Sequence, residues 1–534
     1  MFWCLLLLVK AGLYFAGYLR FDAAWNLAFL ALVLAPMPQA VQVRPWTRAL
    51  RQLVLGAAAA LLLWNDSWLP PINRAVEFLS DPTTVPSLSY VVEFLGRYLD
   101  WEVATAVALL MALSFLLRHS RAAMAATLAI TGFGVAAASA TSLQETNVPL
   151  AEQVKRFRVA ESARTVQFQT PSSRAPAFDI VLLHICSLSW DDLETVDLRD
   201  HEFLSGFNIL FTNFNSVTSY SSMATIRLLR SGCGQATHGD LWNPTDADCY
   251  LLDRLRHHGF RSYAAMDHDG VYGDFGKFAQ ELGHMDVPGS NDGIPVRQFN
   301  FDDTPIVDGY GVLDRWWQQR TRDKTPRAVL YYNTITLHEG TRWASDGDSP
   351  RQPRAVHYRE AAEKLFENMQ RLFDQIEKSG RNAMVIVVAE HGGAVEGSSI
   401  QAPGLREIPL PQITRVPAAV KFIGGKWNRS TERVVIDKPV SYQALSWLIA
   451  EAVRRPPFGP RAKPLDLAGI PRTDFLAEIS GVQIARYGTD YYILREGDQW
   501  SRLPDRALNR PPRALAALRP EGGYFLDHDS GSED

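Results

Sequence analysis

The chain has 534 residues, with 54 Lys plus Arg against 58 Asp plus Glu and a formal net charge of -4. That length exceeds one compact unit, so two or more domains are expected, and the lack of a basic excess argues against a nucleic-acid partner. Apolar residues make up 47% of the whole but are unevenly spread: residues 1–141 hold long apolar runs with few charges, whereas the rest reads as soluble and globular.

Residues 1–141 are expected to form a helical transmembrane domain. A span needs roughly 20 apolar residues, and five stretches approach that: 2–18, 24–41, 49–63, 101–117 and 122–140, the third being the shortest. A cleaved signal peptide would account only for the first, which contains Lys10. Arg44, Arg48 and Arg51 follow the second stretch, and Arg118, His119 and Arg121 follow the fourth, while the loop 66–100 has mixed charge. Positive loops stay in the cytoplasm. An odd number of spans then puts the amino terminus inside and everything after about residue 141 outside, giving a multi-pass protein of the lipid bilayer. The run 90–98, with Val91, Val92, Phe94 and Leu95, either lies in the membrane interface or is a plain external loop.

Residues 142–176 are polar, include Ser-Ser-Arg-Ala-Pro, and read as a linker. From 177 to 503, apolar strands alternate with amphipathic helices. Strands are expected at 178–185, 208–213, 261–266, 328–336, 384–388 and 418–422, with helices at 222–230, 355–378 and 442–453. Leu365, Phe366, Met369, Leu372, Phe373 and Ile376 share one face of the longest helix. Such alternation implies an α/β domain with a mostly parallel sheet, whose ligands gather at the carboxyl ends of the strands. A hairpin is expected over 484–494, turning at Gly488. The tail 504–534, rich in Pro and Arg and then acidic, is expected to be flexible. Cys233 and Cys249 bracket a turn-rich segment; outside the cytoplasm they either form a disulfide, contributing about 3 kcal/mol in a chain-entropy account, or remain two thiols.

Four strand ends carry the candidate chemistry. Val388-Ala389-Glu390-His391-Gly392-Gly393 closes one strand with a carboxylate, an imidazole and two glycines that let the backbone turn away. Cys186 ends another, in His184-Ile185-Cys186-Ser187. Alone it would pass for a buried cysteine; with Glu390 and His391 it completes three ligands of a catalytic zinc and leaves a fourth position open. Ser221, in Thr218-Ser219-Tyr220-Ser221-Ser222, precedes a helical run. It is either an ordinary N-cap or a nucleophile at a helix start suited to phosphate, and both hold if Ser219 or Ser222 caps instead. His338 and His268 follow two further strands and are candidates for phosphate contact or proton transfer, as alternatives to surface loop residues. Arg406 is either a solvated arginine or a partner for phosphate oxygens.

Together these residues resemble the alkaline phosphatase-like superfamily, in particular membrane-anchored phosphoethanolamine transferases and lipoteichoic-acid synthases. The chain most resembles the cellulose phosphoethanolamine transferases of bacterial cellulose secretion systems, the BcsG family. The motifs are His-Ile-Cys-Ser-Leu-Ser-Trp, Thr-Ser-Tyr-Ser, Ile-Arg-Leu-Leu-Arg-Ser-Gly-Cys-Gly-Gln, Tyr-Asn-Thr with a following Leu-His, and Glu-His-Gly-Gly-Ala. The resemblance implies Ser221 as nucleophile, Cys186, Glu390 and His391 as ligands of one Zn2+ ion, and Tyr220 and Arg406 as substrate-positioning residues. It further implies His338 acting near the leaving or attacking oxygen, and a Cys233–Cys249 disulfide. His268 is kept with the substrate-contacting group. Cys186, where the wider superfamily has an acidic residue, favours the cellulose-modifying branch. The implied reaction moves phosphoethanolamine from phosphatidylethanolamine to a periplasmic glycan, most of all cellulose, through a phospho-serine, in the inner membrane beside the bacterial cellulose synthase complex. Transfer to lipid A or another glycan, glycerol-phosphate transfer, and a scaffold role in polysaccharide secretion are the alternatives.

Overall fold

A computed structural model describes residues 1–35, 45–69, 101–117, 120–145, 149–170, 175–347, 352–425, 427, 433–459, 462, 465–495 and 499–508. In the amino-terminal part, helices run over Phe2–Phe15, Ala23–Leu34, Pro45–Asp66, Trp101–Leu117 and Arg121–Glu145. Among the described residues one helix, Arg121–Ser142, is long and apolar enough to cross a bilayer; Phe2–Phe15, Ala23–Leu34 and Ala108–Leu117 are apolar but shorter. Helices thus lie where the five stretches are expected, but among the described residues only one of them is a candidate span by length and composition. The expected run 24–41 extends beyond the described residues, and the interfacial run 90–98 and most of the loop 66–100 lie wholly outside them. Lys10, isolated in an apolar helix, is neutralised by Asp66 at 2.6 Å and donates to Asn26 Oδ1 at 2.7 Å.

Among the described residues, the carboxyl-terminal part is built on fourteen strands. These are β1 (Asp179–Ile185), β2 (Ile209–Asn215), β3 (Phe260–Met266), β4 (Val296–Phe299), β5 (Pro305–Val307), β6 (Arg327–Thr334) and β7 (Arg342–Trp343). The remainder are β8 (Ala383–Ala389), β9 (Arg415–Ile423), β10 (Val434–Ile436), β11 (Leu476–Ile479), β12 (Val482–Tyr487), β13 (Asp490–Arg495) and β14 (Ser501–Arg502). The main sheet has the order β10-β2-β9-β8-β1-β6-β3. Pairings β10/β2, β8/β1, β1/β6 and β6/β3 are parallel, and only β9 runs against its neighbours. β1 and β8 are buried at every position, as expected of strands covered on both faces. Tyr331 and Tyr332 show the two layers. Successive strand residues point to opposite faces; Tyr331 reaches Thr225 on helix Ser221–Leu229, while the Tyr332 hydroxyl would meet a Cβ on Gly309 of helix Gly309–Arg322 at 2.8 Å.

The foot of β1, opposite the site, is fixed by charge. Arg320 is fully buried and donates to both carboxylate oxygens of Asp179, at 2.8 and 3.0 Å, with Arg381 adding a third bond at 3.0 Å. Asp179→Ala would strand a guanidinium in the interior, so a loss of about 3–5 kcal/mol is expected, read as a fall in denaturation midpoint against wild type.

Within the expected linker, Leu150–Ser162 is a helix, and Leu150, Val154 and Phe157 pack with Leu476, Ala485, Tyr492 and Trp500. The expected hairpin is part of a four-stranded sheet, β11-β12-β13-β14. Most of the tail lies outside the described residues, but its first residues are ordered, with Ala507 fully buried. Cys233 and Cys249 form a disulfide, and Cys4 and Cys186 are free thiols.

Candidate metal centre and nucleophile

Parallel pairing sets the ends of β1, β6 and β8 level: Ile185 lies opposite both Thr334 and Ala389. The residues that leave the sheet next are thus delivered to one place. Cys186 N–H donates to the Thr334 carbonyl at 3.0 Å and Glu390 N–H to that of Ile185 at 2.8 Å, so the backbone holds both side chains at the rim. Cys186, Glu390 and His391 are all buried, and one donor atom from each lies within 4.8 Å of the others. Cys186 Sγ is 3.8 Å from His391 Nε2, which is 3.9 Å from Glu390 Oε2.

Ser221 is brought to the same place by the loop after β2. Its Oγ lies 3.3 Å from Cys186 Sγ and 3.2 Å from His391 Nε2. It is the first residue of helix Ser221–Leu229, whose N-cap is Tyr220 and which has no side-chain cap bond. Neither Ser219 nor Ser222 fills the cap role considered for them; Ser219 Oγ donates instead to the Arg406 carbonyl at 2.6 Å. With no side chain spent on capping, the N-terminal N–H groups of the helix suit an anion beside the hydroxyl.

The donor set fits a zinc ion. Glu390 is fully buried; Oε1 accepts from Asn333 Nδ2 at 2.6 Å, but Oε2 has no hydrogen-bond partner among the described residues. Leaving such an oxygen unmatched is costly, and a cation satisfies it. His391 Nδ1 lies 2.9 Å from the Gly392 carbonyl and 3.1 Å from Arg406 Nη1; in the tautomer that donates Nδ1–H to the carbonyl, the Nε2 lone pair is left for a metal. Burial first, and then the Arg406 charge, hold this imidazole well below its ordinary value, so the ring is a neutral ligand. Burial, followed by Glu390, pushes the Cys186 thiol up to about 12, so its thiolate needs a cation alongside. Sulfur, nitrogen and oxygen donors at this spacing are what zinc accepts, and Ser221 borders the remaining side.

Arg406 and His338 flank the centre. Arg406 Nη1 donates to Ser187 Oγ at 3.2 Å, and Nη2 lies 3.4 Å from His338 Nε2. His338 Nδ1 lies 3.0 Å from the Glu339 carbonyl, and the ring stacks on Phe301 with centroids 5.2 Å apart. Burial, and then Arg406, lower its pKa to about 3, so the ring is neutral at physiological pH. Tyr220 donates its hydroxyl to Glu407, and its ring centroid is 6.0 Å from the Arg406 guanidinium carbon.

His268 is joined to the centre through Asn333. Its Nε2 lies 2.8 Å from Asn333 Oδ1, and its Nδ1 accepts from the Gly270 N–H at 3.2 Å. The ring therefore orients Asn333, which in turn orients Glu390. Asn333 was not among the expected site residues; its position at the carboxyl end of β6 is the signal that would have found it. Asp192 was also missed: its carboxylate accepts from the N–H groups of Gly393 and Val395 at 2.7 and 3.0 Å and from Ser189 Oγ at 2.7 Å. A Cβ on Gly392 would meet Ser189 at 2.7 Å and Asp192 at 2.8 Å, so glycine is required where the ligand-bearing strand turns. Asn333→Ala should weaken zinc binding about 10–100-fold, measured by competition with a chromogenic chelator while the circular dichroism spectrum is unchanged.

Comparison with known proteins covers most of the chain. Residues 3–134 match the family described as "Cellulose biosynthesis protein BcsG N-terminal domain" and residues 135–500 the corresponding C-terminal domain. The chain is 34% identical to the cellulose biosynthesis protein BcsG of Escherichia coli (strain K12), with 94% of this chain and 96% of that one covered. The same identity and coverage hold for the protein of that name from Salmonella typhimurium. Among solved structures, an alkaline phosphatase superfamily protein from Vibrio parahaemolyticus is similar with a TM-score of 0.46 and 13% identity, covering 67% of this chain and 88% of that one. The chain belongs to the cellulose biosynthesis protein BcsG family.

Proposed function

We propose that this chain is a zinc-dependent phosphoethanolamine transferase that modifies a periplasmic glucan, cellulose above all, using phosphatidylethanolamine as donor and a phospho-serine intermediate on Ser221. The observation that carries the reading is the approach of Ser221 Oγ to within 3.2–3.3 Å of two of the three buried donor atoms, at an uncapped helix start. One ion held by Cys186, Glu390 and His391 would supply Lewis acidity beside that hydroxyl.

The chain's own groups do the remaining work. The N-terminal N–H groups of helix Ser221–Leu229 and the Arg406 guanidinium receive the phosphoryl oxygens. Ser221 Oγ bonds to phosphorus as the bond to the diacylglycerol oxygen breaks, and the hydroxyl proton passes to that leaving oxygen. A sugar hydroxyl then attacks phosphorus from the other side, releasing Ser221, which regains a proton. With Nδ1 turned to the Glu339 carbonyl, neutral His338 offers Nε2 as the base that takes the sugar proton and returns it to the departing Ser221 oxygen.

A lipid donor requires an enzyme held at the bilayer. The amino-terminal helices support that location by exposing large apolar side chains, among them Leu53 at 68%, Leu116 at 75% and Phe133 at 78%. We place the chain as a multi-pass inner-membrane protein with the sheet domain in the periplasm, alongside the cellulose synthase complex. The test is transfer in liposomes containing phosphatidylethanolamine, with cello-oligosaccharide acceptor, before and after chelation. Transfer that needs zinc is expected; undiminished transfer after the metal is stripped would defeat the mechanism.

A further inference from the structure

The small sheet β5-β4-β7, with helix Arg354–Lys378 and the segment after β6, lines a half-open cavity of about 440 Å³. Its wall includes Gln298, Thr336, Trp343, Glu360 and Asn368. Thr336 also lines the smaller space of about 60 Å³ that contains His338, so the two cavities share a wall beside the proposed base. Three properties identify the kind of ligand this cavity would take.

The lining carries no net charge: Arg297 and Lys364 are matched by Asp308 and Glu360, and Arg297 lies 3.6 Å from Asp308. The lining as a whole therefore offers no excess of positive charge to a phosphate or a polyanion. The polar groups are instead neutral amides kept from water. Gln298 is 1% exposed and Asn368 is 7% exposed, and Gln298 Nε2 and Asn368 Oδ1 have no hydrogen-bond partner among the described residues. One is a donor and the other an acceptor, each buried just behind the cavity wall, where a turn of the side chain would present it to a ligand bearing many hydroxyls rather than to a lipid chain. Third, Trp343 gives the cavity a half-buried aromatic wall. Its indole N–H is directed to Glu360 Oε2 at 3.3 Å, and its ring is tilted against His357 at 5.2 Å. A β-linked glucose ring presents a flat face of C–H bonds, and an indole face complements it.

We infer that this cavity is the acceptor subsite: a neutral β-glucan strand lies against Trp343, with hydroxyls bonded by Gln298 and Asn368, and leads a sugar hydroxyl past Thr336 to His338. The inference rests on the transferase reading above and adds to it the place and the residues of acceptor recognition. Trp343 is a positioning residue for the acceptor and has no part in cleaving the donor.

The experiment uses the full chain in detergent, loaded with zinc, and compares wild type with Trp343→Ala and Trp343→Phe. Cellohexaose binding is followed by calorimetry, and cleavage of a chromogenic phosphoethanolamine ester is followed separately. Trp343→Ala should weaken cellohexaose binding about tenfold or more, Trp343→Phe should recover most of it, and ester cleavage and zinc content should match wild type in both. Equal cellohexaose binding in wild type and Trp343→Ala, or no binding by wild type while the ester is cleaved, overturns the subsite and leaves the transferase reading intact. Absence of zinc-dependent ester cleavage in wild type refutes the transferase reading itself.

Discussion

Ser221→Ala is expected to abolish transfer, with a loss of about 10⁴-fold or more in turnover, because no covalent step can begin without the hydroxyl. Zinc content and thermal stability should stay close to wild type. The three proposed donor atoms come from Cys186, Glu390 and His391, and Ser221 contributes none of them. Alanine is also a good helix former, and no capping bond is lost because the helix has none. The measurement is glucan modification by mass spectrometry together with metal analysis of the same preparation. A variant that kept its activity would show that some other group attacks phosphorus.

Cys186→Ala is expected to fail differently, losing metal and activity together. Its sulfur is the one soft donor in the set and lies 3.3 Å from Ser221 Oγ and 3.8 Å from His391 Nε2. Removing it leaves two protein ligands and a buried Glu390 oxygen with less to satisfy it, so zinc affinity should fall by about 100-fold or more. Cys186→Asp places a carboxylate at the end of β1 and should recover part of both metal and activity. Zinc retained at full occupancy in Cys186→Ala would remove the sulfur from the ligand set.

The contrast between these variants reflects what a sequence exposes and what it conceals. The buried strands β1, β6 and β8 and the helix Arg354–Lys378 are written in local patterns, branched apolar runs and a 3.6-residue stripe, so the sheet and its functional edge are legible. Cys186, Glu390 and His391 are legible for the same reason, since each directly follows such a run. The relay from His268 through Asn333 to Glu390 is not, because it joins residues far apart in the chain: Asn333 and Glu390 are separated by 57 positions. Strand direction is equally hidden. Nothing in Arg415–Ile423 distinguishes an antiparallel strand from its parallel neighbours, so β9 inside a mostly parallel sheet emerges only from the register. Helix Leu150–Ser162 escaped because its charged residues resemble a linker, although Leu150, Val154 and Phe157 already carry helical spacing.

The amino-terminal helices show the limit of composition alone. Five apolar stretches anticipate five helices, but the crossing length of each depends on where its apolar run is interrupted. Lys10 illustrates this: inside the first stretch it is held by Asp66, at the end of helix Pro45–Asp66. That buried pair joins two helices that an apolar count treats as independent.

The proposed role of Ser221 is to carry the phosphoethanolamine group between donor and acceptor. Its most direct test is rapid quench of zinc-loaded protein with phosphatidylethanolamine and no acceptor, followed by peptide mass mapping. A phosphoethanolamine adduct on Ser221 that disappears when cello-oligosaccharide is added is the predicted result. An adduct on another residue, or steady transfer with Ser221 never modified, would contradict it.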